Sequence, residues 1–191
     1  RKPEDFHGVA PFFVENGKAR KCSQGVCSAE AAGLTLTDMA RGDARVAAIT
    51  AAMPAGTGLS AFAAAFPERF FDVGIAEEHA AGLAAGLAAG GMRPFFAVYA
   101  SFLTRAIDQV MHDICLQNLP VTLLVDHAGF VAGDGATHQG VYDFAALRAL
   151  PNLTIWQPCD ARELRAMVRA SMELSGPCVI RYPKQLPERL G

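Results

Sequence analysis

Six short apolar runs punctuate this sequence: RVAAIT, RFFDVG, PFFAVYA, PVTLLVD, LTIWQP and CVIRYP. A helix-like segment separates each from the next, and another, SAEAAGLTLTDMARGD, leads into the first. Strands joined through helices of that length need crossover connections, which build a parallel sheet and not a set of hairpins. The runs are apolar nearly throughout, as strands buried on both faces must be. The expected fold is therefore a three-layer, doubly wound α/β domain with a mostly parallel sheet, over about residues 28–183. Residues 1–27 show no strong periodicity and open without an initiator Met, so they read as an N-terminal linker. Residues 184–191 read as the start of a second linker, and the whole as a piece of a longer protein.

Composition narrows the class. At 191 residues, 51% hydrophobic and 19% charged, the chain is long enough for one domain with a sizeable core. A net charge of -2 with no Lys/Arg cluster argues against nucleic acid or a membrane surface as partner. No apolar run reaches the roughly 18 residues of a membrane span. Three of the five cysteines, Cys115, Cys159 and Cys178, lie in apolar segments. Cys22 and Cys27 lack further ligands to complete a metal set. No metal ligand is assigned, and a reducing, cytoplasmic setting is the expectation.

In open α/β sheets the ligand sits beyond the carboxyl ends of the strands, and four of those ends carry chemistry. RFFDVG is followed by Glu77, Glu78 and His79; PFFAVYA by Ser101, Phe102 and Arg105, with Tyr99 at its end. After PVTLLVD comes HAGFVAGDGATHQG, with His127, Asp134, Thr137, His138 and Gln139, and CVI leads to Arg181. A long Gly-rich connection of this kind is more often functional than idle. Each residue also has a plainer explanation. Carboxylates in a first helical turn favour the helix dipole, and His79 reads equally as a helix histidine. Phe102 fits the core pattern, and Arg105 with Asp108 a surface ion pair. Gly133-Asp134-Gly135 fits a turn, and Arg181 a residue that keeps its charged tip in water. Convergence at one end of the sheet favours a site.

Taken together, FHGVAPF, FFDVGIAEEHA, AVYASFLTRAIDQVMHD, LQNLPV, DHAGFVAGDGATHQG, LPNLTIWQPCD and GPCVIRYP span about Phe6 to Pro183. In that order they resemble the 1-deoxy-D-xylulose 5-phosphate synthase family, thiamine-diphosphate enzymes of the transketolase group. The part resembled is the central, pyrimidine-binding domain. The resemblance implies a full-length enzyme that condenses pyruvate with glyceraldehyde 3-phosphate, releasing CO2, to supply isoprenoid, thiamine and pyridoxal precursors. It implies thiamine diphosphate and Mg2+ as cofactors, a homodimer, N- and C-terminal domains beyond this piece, and no activity from the piece alone.

The resemblance also implies roles. Glu77 would hydrogen-bond the N1′ atom of the aminopyrimidine and so assist loss of the thiazolium C2 proton, and Phe102 would stack on that ring. Asp134 and His138 would contact the acceptor's hydroxyl and carbonyl. Tyr99 and Arg181 would lie at its phosphate, with Arg105 elsewhere in the site. Glu78 stands where the family usually has Gln. One departure is larger: His127 replaces the arginine usual after the fourth of these strands, and imidazole cannot make arginine's paired contact with phosphate. An acceptor other than glyceraldehyde 3-phosphate therefore stays open, as does a non-catalytic dimerisation module. Gly133-Asp134-Gly135 is not the diphosphate and metal motif, because Asn152 follows too soon. The Mg2+ ligands are expected in the preceding domain.

Overall fold

The computed structural model describes residues 12–15, 18–21, 26–131 and 133–190. In chain order the elements begin with β1 (Phe12–Glu15), β2 (Lys18–Lys21), β3 (Val26–Cys27), α1 (Ser28–Gly42), β4 (Val46–Thr50), α2 (Ser60–Ala65) and β5 (Phe70–Asp72). Then come α3 (Glu77–Ala89), β6 (Arg93–Tyr99), α4 (Ala100–Leu103), α5 (Ile107–Gln109), β7 (Thr122–Asp126) and α6 (Asp143–Leu147). The last are β8 (Thr154–Trp156), α7 (Ala161–Ala170), β9 (Cys178–Arg181) and β10 (Gln185–Leu186).

The six apolar runs form one six-stranded sheet in the order β5-β4-β6-β7-β9-β8. Every pairing within it is parallel, so the expected mostly parallel sheet is parallel throughout. Successive side chains of a strand face opposite layers. Phe96, Val98, Leu123 and Val125 pack under α3 and the 100–115 segment. Phe95, Ala97, Leu124 and Ile180 pack under α1, α2 and α7. Those are the three layers. Ile49, on the first of these faces, is fully buried. Ile49→Val should lower stability by about 1 kcal/mol, read from denaturant unfolding at constant slope.

Two short pairings fall outside 28–183: β1 with β2, and β3 with β10, both antiparallel. Among the described residues no helix is long and apolar enough to cross a membrane. One element departs from its periodicity. Residues 102–118 read as a single helix, yet the chain runs through α4, a 3₁₀ turn at Thr104–Ala106, α5 and a π-helical turn at Val110–Cys115. The Thr104 hydroxyl donates to the Ser101 carbonyl at 2.7 Å, an alternative to the regular backbone ladder. Tightened and loosened turns of this sort gather at functional sites.

Candidate active site

The chain winds outward from β4 to β5, then crosses back to place β6 on the other side of β4. A crevice opens where the winding reverses. There lies a cavity of about 780 Å³, lined by Ala52–Gly56, Ser60, Asp72, Tyr99, Phe102 and His138. Two details shape its floor. Asp72 Oδ1 accepts from the Ala52 and Gly74 N–H groups, tying the loop after β4 to the end of β5. At Gly56 a Cβ would come within 2.5 Å of the Tyr99 hydroxyl, so only glycine lets that hydroxyl stand there.

Glu77 opens α3. The helix buries Glu77, Ala80, Ala81, Ala84, Ala85 and Ala88, spaced three and four apart along one face. Glu77 is therefore carried inward by the same register that buries the alanines, to 2% exposure. Glu78 and His79, rotated off that stripe, are exposed. Burial of a carboxylate needs a partner. Glu77 finds Arg105, whose Nη1 donates to Oε1 at 2.5 Å. Arg105 does not pair with Asp108; it also lies over the Phe102 ring, 4.9 Å from the centroid.

An aromatic column continues from there. Phe102 and Tyr99 stack with centroids 5.7 Å apart, Tyr99 and His127 at 3.9 Å, and His138 meets Phe102 edge-on at 5.4 Å. Burial, then the Asp126 and Asp134 carboxylates, push the Tyr99 hydroxyl up to about 12. It is thus a hydrogen-bond donor at neutral pH. Because the folded phenol holds its proton more tightly than the unfolded one, this stability is present below about pH 10 and lost as pH rises towards 12. Chemical unfolding at pH 8 and at pH 10.5 should show that loss, and Tyr99→Phe should make it shallower.

The remaining expected residues divide. His127 is buried and takes a left-handed backbone conformation, φ 56°. Its Nδ1 stands 3.2 Å from Asp126 Oδ1, without hydrogen-bond alignment, and its Nε2 3.9 Å from Asp134 Oδ2. Asp134 also faces Lys184 Nζ at 3.5 Å. His138 Nδ1 lies 3.0 Å from the Thr137 hydroxyl. Neither Glu77 nor Arg105 lines the cavity; the pair meets it through the Phe102 ring, over which Arg105 lies. Arg181 does not line it either, being hydrogen-bonded to Asp143, Gln157 and Gly140. Sequence reasoning missed Asp72, Asp126, Asp143 and Lys184. The signal for the first two was a carboxylate closing an apolar strand, FFD and LLVD. The other two had none.

Comparison with known proteins bears on the fold and the family. The chain is 53% identical over 184 residues to the 1-deoxy-D-xylulose-5-phosphate synthase of Alkaliphilus oremlandii, covering 96% of this chain and 30% of that protein. With the synthase of Symbiobacterium thermophilum it shares 55% over 182 residues, covering 95% and 28%. The chain thus spans under a third of the length of these relatives. Among solved structures it is similar to a split-gene transketolase solved as an inactive β4 tetramer. That match has a TM-score of 0.77 and 37% identity, and covers 88% of this chain and 55% of that one. Transketolase from Campylobacter jejuni, at 19% identity, shares the fold with a TM-score of 0.79, covering 88% and 27%. Residues 24–188 match the family described as transketolase, pyrimidine binding domain, and the chain belongs to that family.

Proposed function

We propose that this chain is the pyrimidine-binding part of a 1-deoxy-D-xylulose-5-phosphate synthase, which condenses pyruvate with glyceraldehyde 3-phosphate and releases CO2. One observation carries the reading: a buried carboxylate at a helix mouth, Glu77, joined through Arg105 to the stacked rings of Phe102 and Tyr99. That set fits an aminopyrimidine, which needs an acceptor-capable carboxyl group at a ring nitrogen and an aromatic face to lie on. Thiamine diphosphate, when bound, supplies the carbanion chemistry. Mg2+ ligands, the rest of the diphosphate site and a homodimeric arrangement belong to the full-length protein in this reading.

The chain's own residues then act as follows. Glu77 holds or shares a proton at the ring nitrogen once Arg105 yields its place, and Phe102 fixes the plane of the ring. Tyr99 donates to the acceptor from the far side of the same stack. Asp134 and His138, on the loop above, face the acceptor's hydroxyl and carbonyl oxygens and move its proton. The test is direct: purified full-length protein with thiamine diphosphate, Mg2+, pyruvate and glyceraldehyde 3-phosphate should release CO2 and form 1-deoxyxylulose 5-phosphate. Absence of that product rejects the reading.

His127 favours a second reading, in which the acceptor is another aldehyde. An imidazole between Asp126 and Asp134 is a poorer phosphate ligand than a guanidinium, which stays charged and makes paired contacts. His127→Arg should therefore lower KM for glyceraldehyde 3-phosphate by roughly tenfold, the size of one charge-assisted hydrogen bond. The KM of unphosphorylated glyceraldehyde should not change. If wild type uses both aldehydes equally and the variant changes neither, the second reading replaces the first.

A further inference from the structure

Resting on that reading, we propose that Asp72 is a positioning residue: through one carboxylate oxygen it holds the cavity wall at Ala52–Gly56 in a fixed relation to the mouth of α3. β5 is an edge strand of the sheet, and Asp72 ends it. Its Oδ1 accepts from the Ala52 N–H at 2.8 Å and from the Gly74 N–H at 3.0 Å. The first bond reaches the loop after β4, 20 residues back along the chain. The second holds the turn that leads into α3. Ala52 takes a left-handed backbone conformation, φ 58°, which is unfavourable for alanine. Such a conformation persists only where its surroundings hold it, and the bond from Asp72 falls on that residue's own N–H.

Both segments that meet at Asp72 are internally bonded, so a tie at their ends sets where each one lies. On the wall side, the Thr57 N–H and hydroxyl both donate to the Met53 carbonyl, at 2.9 and 2.7 Å. The Leu59 N–H donates to the Pro54 carbonyl at 2.8 Å. The stretch from Met53 to Leu59 therefore moves as a unit, with Ala52 at its entrance. It carries Gly56, whose missing side chain leaves room for the Tyr99 hydroxyl. On the helix side, the Val73 N–H donates to the Thr50 carbonyl at 3.1 Å and the Ala76 N–H to the Gly74 carbonyl at 2.9 Å. Ala76 directly precedes Glu77, the first residue of α3. Asp72 thus fixes where Glu77 stands relative to the wall that shares the cavity with Phe102 and Tyr99. Its own side chain is exposed and lines that cavity, so a direct contact between its charge and the ligand is the competing role. The two roles depend on different properties of the carboxylate: position of one oxygen, or charge.

The test uses the full-length protein with Asp72→Asn, Asp72→Glu and Asp72→Ala. Asparagine keeps a carbonyl oxygen with two lone pairs and loses the charge. Glutamate keeps the charge and moves the oxygen by one methylene, and alanine removes both. CO2 release from pyruvate and glyceraldehyde 3-phosphate is measured at saturating thiamine diphosphate, alongside backbone hydrogen exchange. A tie through Oδ1 predicts that kcat falls about 10²-fold in Asp72→Ala and Asp72→Glu, the loss typical of a group displaced by about 1 Å. Asp72→Asn should restore kcat to within about fivefold of wild type, the difference between a neutral and a charged acceptor. Exchange in Asp72→Ala should quicken over 51–59 and 73–77 and stay unchanged over 161–170. The proposal is overturned if Asp72→Asn falls as far as Asp72→Ala, if Asp72→Glu keeps wild-type kcat, or if exchange over 51–59 stays at the wild-type rate. Should Asp72→Ala not fold, the other two decide: Asp72→Asn above Asp72→Glu supports the tie, and the reverse order overturns it. A wild-type protein that releases no CO2 would defeat the functional reading instead, and hydrogen exchange would still report on the tie.

Discussion

Incubated alone with thiamine diphosphate, Mg2+, pyruvate and glyceraldehyde 3-phosphate, the 191-residue chain is expected to release no CO2 above background. Its candidate groups all project from one wall, the strand ends of a single sheet. Arg105, the partner of Glu77, is 47% exposed along its side chain, so this wall alone leaves the cationic end of the pair in contact with water. Excluding water is what makes such electrostatic groups effective. The lengths of the relatives point the same way, since this chain covers 30% of the Alkaliphilus oremlandii protein. Turnover at an ordinary enzymatic rate, on the order of 1 s⁻¹ or more, would show that one wall suffices. Adding the remaining domains in trans should restore CO2 release.

In the full-length protein, Glu77→Gln should slow exchange of the cofactor's C2 proton by about 10²–10⁴-fold, the range for a group acting in acid–base catalysis. Glutamine keeps the volume, and its carbonyl can still accept from Arg105, so the buried site at 2% exposure is not left with an unpaired donor. Cofactor affinity should change far less than exchange, because in the proposed reading the ring's contact is with Phe102, which the substitution leaves in place. Phe102→Ala gives the opposite pattern, weaker cofactor binding with less effect on exchange per bound cofactor. Proton exchange followed by NMR in D2O separates the two. If Glu77→Gln exchanges at the wild-type rate, the carboxylate merely complements the dipole of α3.

How much of this was legible beforehand varies by residue, for identifiable reasons. The parallel sheet was, because six apolar runs separated by helices admit few other topologies. The inward turn of Glu77 was also implicit in EEHAAGLAAGLAA, since a 3.6-residue repeat that buries Ala80, Ala81 and Ala84 must carry Glu77 with them. Glu78 and His79 looked equally eligible only while that register was ignored. The 102–118 segment was misread as one helix because its apolar spacing is helical throughout. The bond from Thr104 to Ser101, and the pull of Arg105 towards Glu77, are not matters of spacing.

Partners chosen across the fold were not legible at all. Arg105 paired with Asp108 is a sound guess from neighbours three apart, yet its partner is Glu77, 28 residues away. Arg181 could be placed at a strand end from CVIRYP, but its partner Asp143, 38 residues upstream, could not be foreseen. The sequence alone determined the strands, their parallel arrangement and the end of the sheet at which the polar residues gather. These follow from periodicity and connection length, which are local. The tertiary structure decided which charge each buried group meets. That depends on β9 lying beside β7 and β6 beside β4, and ion pairing is set by distance in space, not by spacing along the chain.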